Sequence, residues 1–333
     1  MHSPYGVRSI ATVAAQALSP FAVPDARPLD AAKFRDPLVT ARGEPRAQVA
    51  MTGLRTLWIN TGTLCNLACR TCYIESSPRN DALVYPTLAE VETYLDEALE
   101  LGTQEIGFTG GEPFMNPDMI GMLHAALFRG FDVLVLTNAM RPMRRFEDRL
   151  LSIPAEHRAR LTMRVSLDHH TQALHEAERG RGAWDKAIAG CRWLSDHGFR
   201  LAIAGRQVAG ESEPDARAGY ARLFAANGLH VDASDPAALV LFPEMDATAD
   251  VPEISEACWD IVGVDPRSIM CASSRMVVKR RGEPRPVVVA CTLIPYDDGF
   301  TMGETLEEAS RPVRLNHPHC ARFCVLGGAS CSA

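Results

Sequence analysis

Leu54-Arg55-Thr56-Leu57-Trp58-Ile59-Asn60, followed four residues later by Cys65-Asn66-Leu67-Ala68-Cys69-Arg70-Thr71-Cys72, decides how this chain is read. The first segment has the length and composition of a buried strand, and a cysteine-rich loop follows it directly. Working outward, strands are expected at 105–109, 132–137, 161–167, 199–207 and 238–242, with helices at 88–101, 117–129, 143–151, 183–197, 213–227 and 253–262. Thr87 with Glu90 three residues on forms a capping box at the first of these helices. Six strands separated by helices imply parallel pairing through right-handed crossovers. Eight strands would close a barrel, so the expected fold is α/β, a partial (β/α)6 barrel. Active residues of such sheets gather at the C-terminal ends of the strands. Residues 1–50, rich in Ala, Pro and Arg, read as an N-terminal arm, 51–252 as the barrel core and 253–333 as a small C-terminal extension. In that extension 274–279 and 286–290 read as a hairpin, and the loop-rich stretch after it lacks the apolar residues for a core of its own.

The composition narrows the chemistry. Of 333 residues 47% are hydrophobic and 23% charged, the balance of a globular chain with a substantial core. A net charge of −7 speaks against a nucleic-acid partner. No run of apolar residues is long enough for a membrane span, and the N-terminus is a poor signal peptide, so a cytoplasmic location is expected. Ten cysteines are then the anomaly, because a reducing compartment does not support a disulfide framework. Metal or cluster ligation is the leading account for all but Cys191 and Cys258, which read as buried free thiols.

Three thiolates at 65, 69 and 72 can converge on one [4Fe–4S] cluster and leave its fourth iron without a protein ligand. A structural zinc site would need a fourth ligand, and no His or Cys follows Cys72 nearby. One βα unit later, Thr109-Gly110-Gly111-Glu112-Pro113 closes the second strand. The two glycines allow close backbone approach to a ligand. Thr137-Asn138 ends the third strand and Ser166-Leu167-Asp168 the fourth, and His175-Glu176-Ala177-Glu178-Arg179 lies beyond. That last segment is no zinc-protease motif, since Arg179 stands where the second His would be needed.

CxxxCxxC after the first strand, GGEP after the second and the Ser-Leu-Asp and His-Glu-x-x-Arg segments together resemble the radical S-adenosylmethionine (radical SAM) superfamily. The aromatic that the family often places before the last cysteine is Thr71 here, and Tyr73 follows instead. The resemblance implies that Cys65, Cys69 and Cys72 hold the catalytic cluster. It implies that Gly110, Gly111, Glu112, Pro113, Asn138, Ser166 and Arg179 bind S-adenosylmethionine, with Asp168 either a ligand or a local cap. It further implies reductive cleavage of S-adenosylmethionine to a 5′-deoxyadenosyl radical that abstracts a substrate hydrogen, with electrons from a donor such as flavodoxin or ferredoxin.

The second cysteine group, Cys271, Cys291, Cys320, Cys324 and Cys331, is arranged as Cys–hairpin–Cys–gap–Cys cluster and resembles the auxiliary-cluster extensions called twitch and SPASM. Cys271, Cys291, Cys320 and Cys324 are the expected ligands of one further cluster, with Cys331 as the first substitute. A zinc site on Cys320, Cys324, Cys331 and His317 or His319 is the competing reading. A peptide and a small metabolite both remain open as substrates. A non-catalytic Fe–S carrier is the reading from another class, and the intact GGEP segment argues against it.

Overall fold

The computed structural model of the protein describes residue 21 and residues 26–243 and 246–328. Regular structure begins with strands β1 (Gln48–Val49) and β2 (Thr56–Asn60), then helix α1 (Leu88–Glu100), β3 (Glu105–Thr109), α2 (Met119–Phe128) and β4 (Asp132–Thr137). Three short turns of helix follow, α3 (Arg141–Arg144), α4 (Glu147–Leu151) and α5 (Ala155–Arg158). Next come β5 (Leu161–Ser166), α6 (Gln172–Arg179), α7 (Ala183–Asp196), β6 (Arg200–Arg206), α8 (Glu213–Asn227) and β7 (Leu239–Phe242). The chain continues through α9 (Cys258–Val262), β8 (Ser274–Val278), β9 (Val287–Val289), β10 (Thr301–Gly303) and β11 (Val313–Arg314).

Strands β2 to β7 lie side by side in sequence order and every neighbouring pair is parallel. That winding is the partial barrel expected from the alternation of strands and helices. All five residues of β2 are buried, as they must be in a parallel sheet covered on both faces. At α1, Thr87 accepts from the Glu90 backbone N–H while the Glu90 carboxylate accepts from the Thr87 N–H, so both orphan donors of the first turn are satisfied.

The hairpin at 274–289 does more than the sequence indicates. Strand β8 pairs in parallel with β2 on the side opposite β3, and β9 and β10 continue antiparallel, so a single nine-stranded sheet carries both cysteine groups. Arg275, 1% exposed, pins the following segment: its guanidinium donates to the carbonyls of Cys271, Ser274, Ala309 and Arg311. Arg46 does the same for the N-terminal part, pairing with Glu253 at 2.5 Å and donating to the carbonyls of Asp36, Val39 and Leu315. Among the described residues no helix is long and apolar enough to cross a membrane.

Candidate active site

The C-terminal ends of β3, β4, β5, β6 and β7 open on one cavity, and the loop after β2 forms its rim. Backbone bonds fix that loop: Thr61 N–H donates to Thr109 C=O, Gly111 N–H to Gly62 C=O and Glu112 N–H to Leu64 C=O. Gly110 has φ +138°, and a Cβ there would sit 2.5 Å from the Gly62 oxygen; at Gly111 it would meet the Leu64 oxygen at 2.3 Å. Only glycine lets the end of β3 lie this close to the cysteine loop.

The cavity holds about 1130 Å³ of open space, solvent included, and is lined by Cys65, Cys69, Cys72, Gly110, Gly111, Asn138, Ser166, Asp168 and Arg179. Burial pushes the Cys65 thiol up to about 12 and the Cys69 thiol to about 11. Both are therefore protonated in the metal-free protein at neutral pH, and ligation must displace those protons.

Glu112 and Pro113 do not line the cavity. The Glu112 carboxylate, 1% exposed, accepts from Thr137 Oγ1 at 2.8 Å, the Asn138 N–H at 2.8 Å and the Phe114 N–H at 3.3 Å. It is satisfied within the protein and locks the end of β4 to the end of β3. Burial pushes its pKa up to about 7 against these bonds. Asn138, held in this way, donates to Asn66 Oδ1 at 2.9 Å, inside the cysteine loop.

Asp168 and Arg179 form a bidentate ion pair, Nε to Oδ2 at 2.5 Å and Nη2 to Oδ1 at 3.2 Å. Among the described residues no hydrogen bond of Arg179 Nη1 accompanies these two. Burial would raise the Asp168 carboxyl, but the charge and hydrogen bonds of Arg179 hold it below the ordinary value. Sequence reasoning missed the layer beside this pair. Glu178 Oε1 accepts from the Thr71 backbone N–H and hydroxyl at 2.7 and 2.8 Å, and Arg206 reaches both Thr71 Oγ1 and Glu178. Thr71, at the position where an aromatic is common, thus ties the cysteine loop to α6 and β6. Phe242, Pro243, Leu293 and Phe323 supply the apolar wall.

Cys271, Cys291, Cys320 and Cys324 line a second, apolar cavity, and Leu293 borders both. The hairpin explains half of this meeting, since Cys271 precedes β8 and Cys291 follows its antiparallel partner β9. Burial pushes the Cys271 thiol up to about 11 and raises that of Cys320 well above its ordinary value. Cys331 lies outside the described residues. His319 borders this cavity but His317 does not, and burial pushes both imidazoles down to about 4. A tetrahedral zinc with Zn–S bonds of about 2.3 Å would draw its sulfurs to within about 4 Å of each other. Among the described residues neither cysteine set gathers three ligand atoms within 4.8 Å of one another.

The sequence profile of the Radical SAM superfamily matches residues 59–217, the span that carries the first cysteine group and all the strand-end segments named above. Residues 59–217 are a radical SAM superfamily domain. Its radical SAM relatives include the antilisterial bacteriocin subtilosin biosynthesis protein AlbA of Bacillus subtilis, 31% identical over 141 residues, which is 42% of this chain and 30% of that protein. Mycofactocin maturase MftC of Mycobacterium tuberculosis is 27% identical over 135 residues, 40% of this chain and 33% of that protein. The match thus spans about a third of the length of these curated relatives. Among solved structures, Streptococcus suis SuiB bound to S-adenosylmethionine superposes with a TM-score of 0.56 at 13% identity, over 76% of this chain and 64% of that one. Radical SAM domains use a [4Fe–4S] cluster and S-adenosylmethionine, and Cys65, Cys69 and Cys72 all line this cavity.

Proposed function

We propose that this chain is a radical SAM enzyme that modifies a peptide, using Cys65, Cys69 and Cys72 as ligands of the catalytic cluster and Cys271, Cys291, Cys320 and Cys324 as ligands of an auxiliary one. The observation that carries this reading is the single cavity that joins three cysteines, a glycine pair, Ser166 and the Asp168–Arg179 pair at the strand ends. The bound cluster and S-adenosylmethionine would supply a 5′-deoxyadenosyl radical for hydrogen abstraction. The remaining work belongs to the chain. Gly110 and Gly111 let backbone groups approach the ligand, and Ser166 and Nη1 of Arg179 hold its carboxylate. Asp168 aims that guanidinium, and the Phe242, Leu293 and Phe323 wall keeps water from the reacting atoms. Peptide as the substrate class is supported by relatives named for a bacteriocin and for mycofactocin maturation, and by SuiB, solved bound to the precursor peptide SuiA. A small-molecule reading draws on GTP 3′,8-cyclase 1 of Mycobacterium tuberculosis, 31% identical over 145 residues.

Mass spectrometry on short peptides encoded beside this chain tests the proposal. With reductant and S-adenosylmethionine present, one peptide should lose or exchange hydrogen mass at a defined residue. If no neighbouring peptide changes while a nucleotide or other metabolite does, the small-molecule reading replaces it.

A further inference from the structure

Directly after Asp168 the chain places two histidines, and both turn to the same carboxylate. His169 Nε2 lies 3.3 Å from Glu211 Oε2, and His170 Nε2 lies 2.9 Å from Glu211 Oε1. The two rings are 4.0 Å apart, and the three ligand atoms fall within 4.8 Å of one another. Glu211 comes from the loop between β6 and α8, so the cluster joins two strand ends. The surroundings are built for the rings. A Cβ at Gly219, inside α8, would meet the His170 ring at 2.4 Å, so a glycine stands in a helix interior where it weakens the helix. Tyr220 lays its ring edge-on to His170 and donates its hydroxyl to Leu167 C=O at 2.6 Å.

We infer that His169, His170 and Glu211 form a binding site for a divalent transition cation of the zinc class, separate from both cysteine groups. Two imidazole nitrogens and one carboxylate oxygen are a recurrent donor set for such ions, with positions left open for water. Without the ion, Thr171 N–H donates to His169 Nδ1 at 3.0 Å, which puts the ring proton on Nε2. Binding would release Nε2 to the metal and move that proton to Nδ1, which would then donate to Thr171 Oγ1, now at 2.8 Å, in place of accepting from the Thr171 N–H. The ion would clamp the turn after β5 to the loop after β6. The Arg206 N–H already donates to Asp168 C=O at 2.8 Å in this junction, so the clamp sets where both side chains stand at the cavity.

The test uses tag-free protein carrying its iron, exposed to zinc alone, passed over chelating resin and assayed for both metals. Wild type should keep about one zinc per chain, with nitrogen and oxygen neighbours at about 2.0–2.1 Å in X-ray absorption. Glu211→Gln and His170→Ala should each weaken zinc retention by more than about 10-fold with iron content unchanged. Three results would overturn the site: no zinc kept by wild type, equal zinc kept by both variants, or sulfur neighbours at about 2.3 Å, which would put the ion on cysteines.

Discussion

Replacing Cys65, Cys69 and Cys72 together by alanine should lower the iron content of anaerobically reconstituted protein from about eight to about four per chain. The loss should be confined to one cluster because the cysteine groups line different cavities, with Leu293 between them. The loop itself should survive, since its backbone is tied to Thr109, Gly111 and Glu112 independently of the thiols. Circular dichroism close to wild type would therefore accompany the iron loss. Unchanged iron in the triple variant would remove these cysteines from the catalytic site. Wild-type protein with about four irons and stoichiometric zinc held by sulfur at about 2.3 Å would instead make the C-terminal group a zinc site.

The second large effect is expected at the Asp168–Arg179 pair. Asp168→Ala leaves a buried guanidinium without its partner, and breaking a buried pair in this way typically costs about 3–5 kcal/mol. Urea denaturation of the metal-free protein reads this directly. Because the folded-state pKa of Asp168 is lowered, its contribution is present above the ordinary carboxyl value of 3.8 and lost as pH falls through the folded value. The difference between wild type and Asp168→Ala should accordingly shrink in acid. Arg179→Ala has a different signature. It should weaken S-adenosylmethionine binding by roughly 10- to 150-fold, the equivalent of one charge-assisted hydrogen bond, with iron content unchanged. Wild-type affinity in that variant would remove Arg179 from the ligand site.

Much of the sheet was legible because buried parallel strands are short apolar runs. Strands β3 and β4 begin and end where the alternation predicts, and β2, β5, β6 and β7 differ by a residue or two at their ends. The failures have local causes. Helix α6 escaped notice because Gln172–Arg179 is polar and buries only His175 and Glu178, so it has no apolar stripe. The helix expected at 253–262 shrinks to Cys258–Val262 because tertiary partners claim its start. Arg46 and the backbone N–H groups of Phe34 and Ala41 bind Glu253, and Ala47 takes the Ile254 carbonyl. A single helix at 143–151 becomes the end of α3 and all of α4.

At the cavity, spacing singled out the cysteines, and the resemblance pointed to the glycine pair, Ser166 and Arg179, all of which lie on its lining. Glu178 and Arg206 were invisible because their link to Thr71 joins α6 and β6, elements that nothing in the sequence places together. The role of Glu112 was similarly hidden. Its bonds to Thr137 and Asn138 span two strand ends, and only the fold makes them neighbours. The parallel pairing of β8 with β2 also could not be read from 274–279, which looks like any hairpin strand.

The most direct measurement is the amount of 5′-deoxyadenosine formed from S-adenosylmethionine by dithionite-reduced protein without substrate. The account predicts slow formation by wild type and by a folded Cys320→Ala, Cys324→Ala double variant that retains about four irons. It predicts none by the Cys65, Cys69, Cys72 triple alanine variant. Formation undiminished in the triple variant, or absent from iron-loaded wild type, would contradict it.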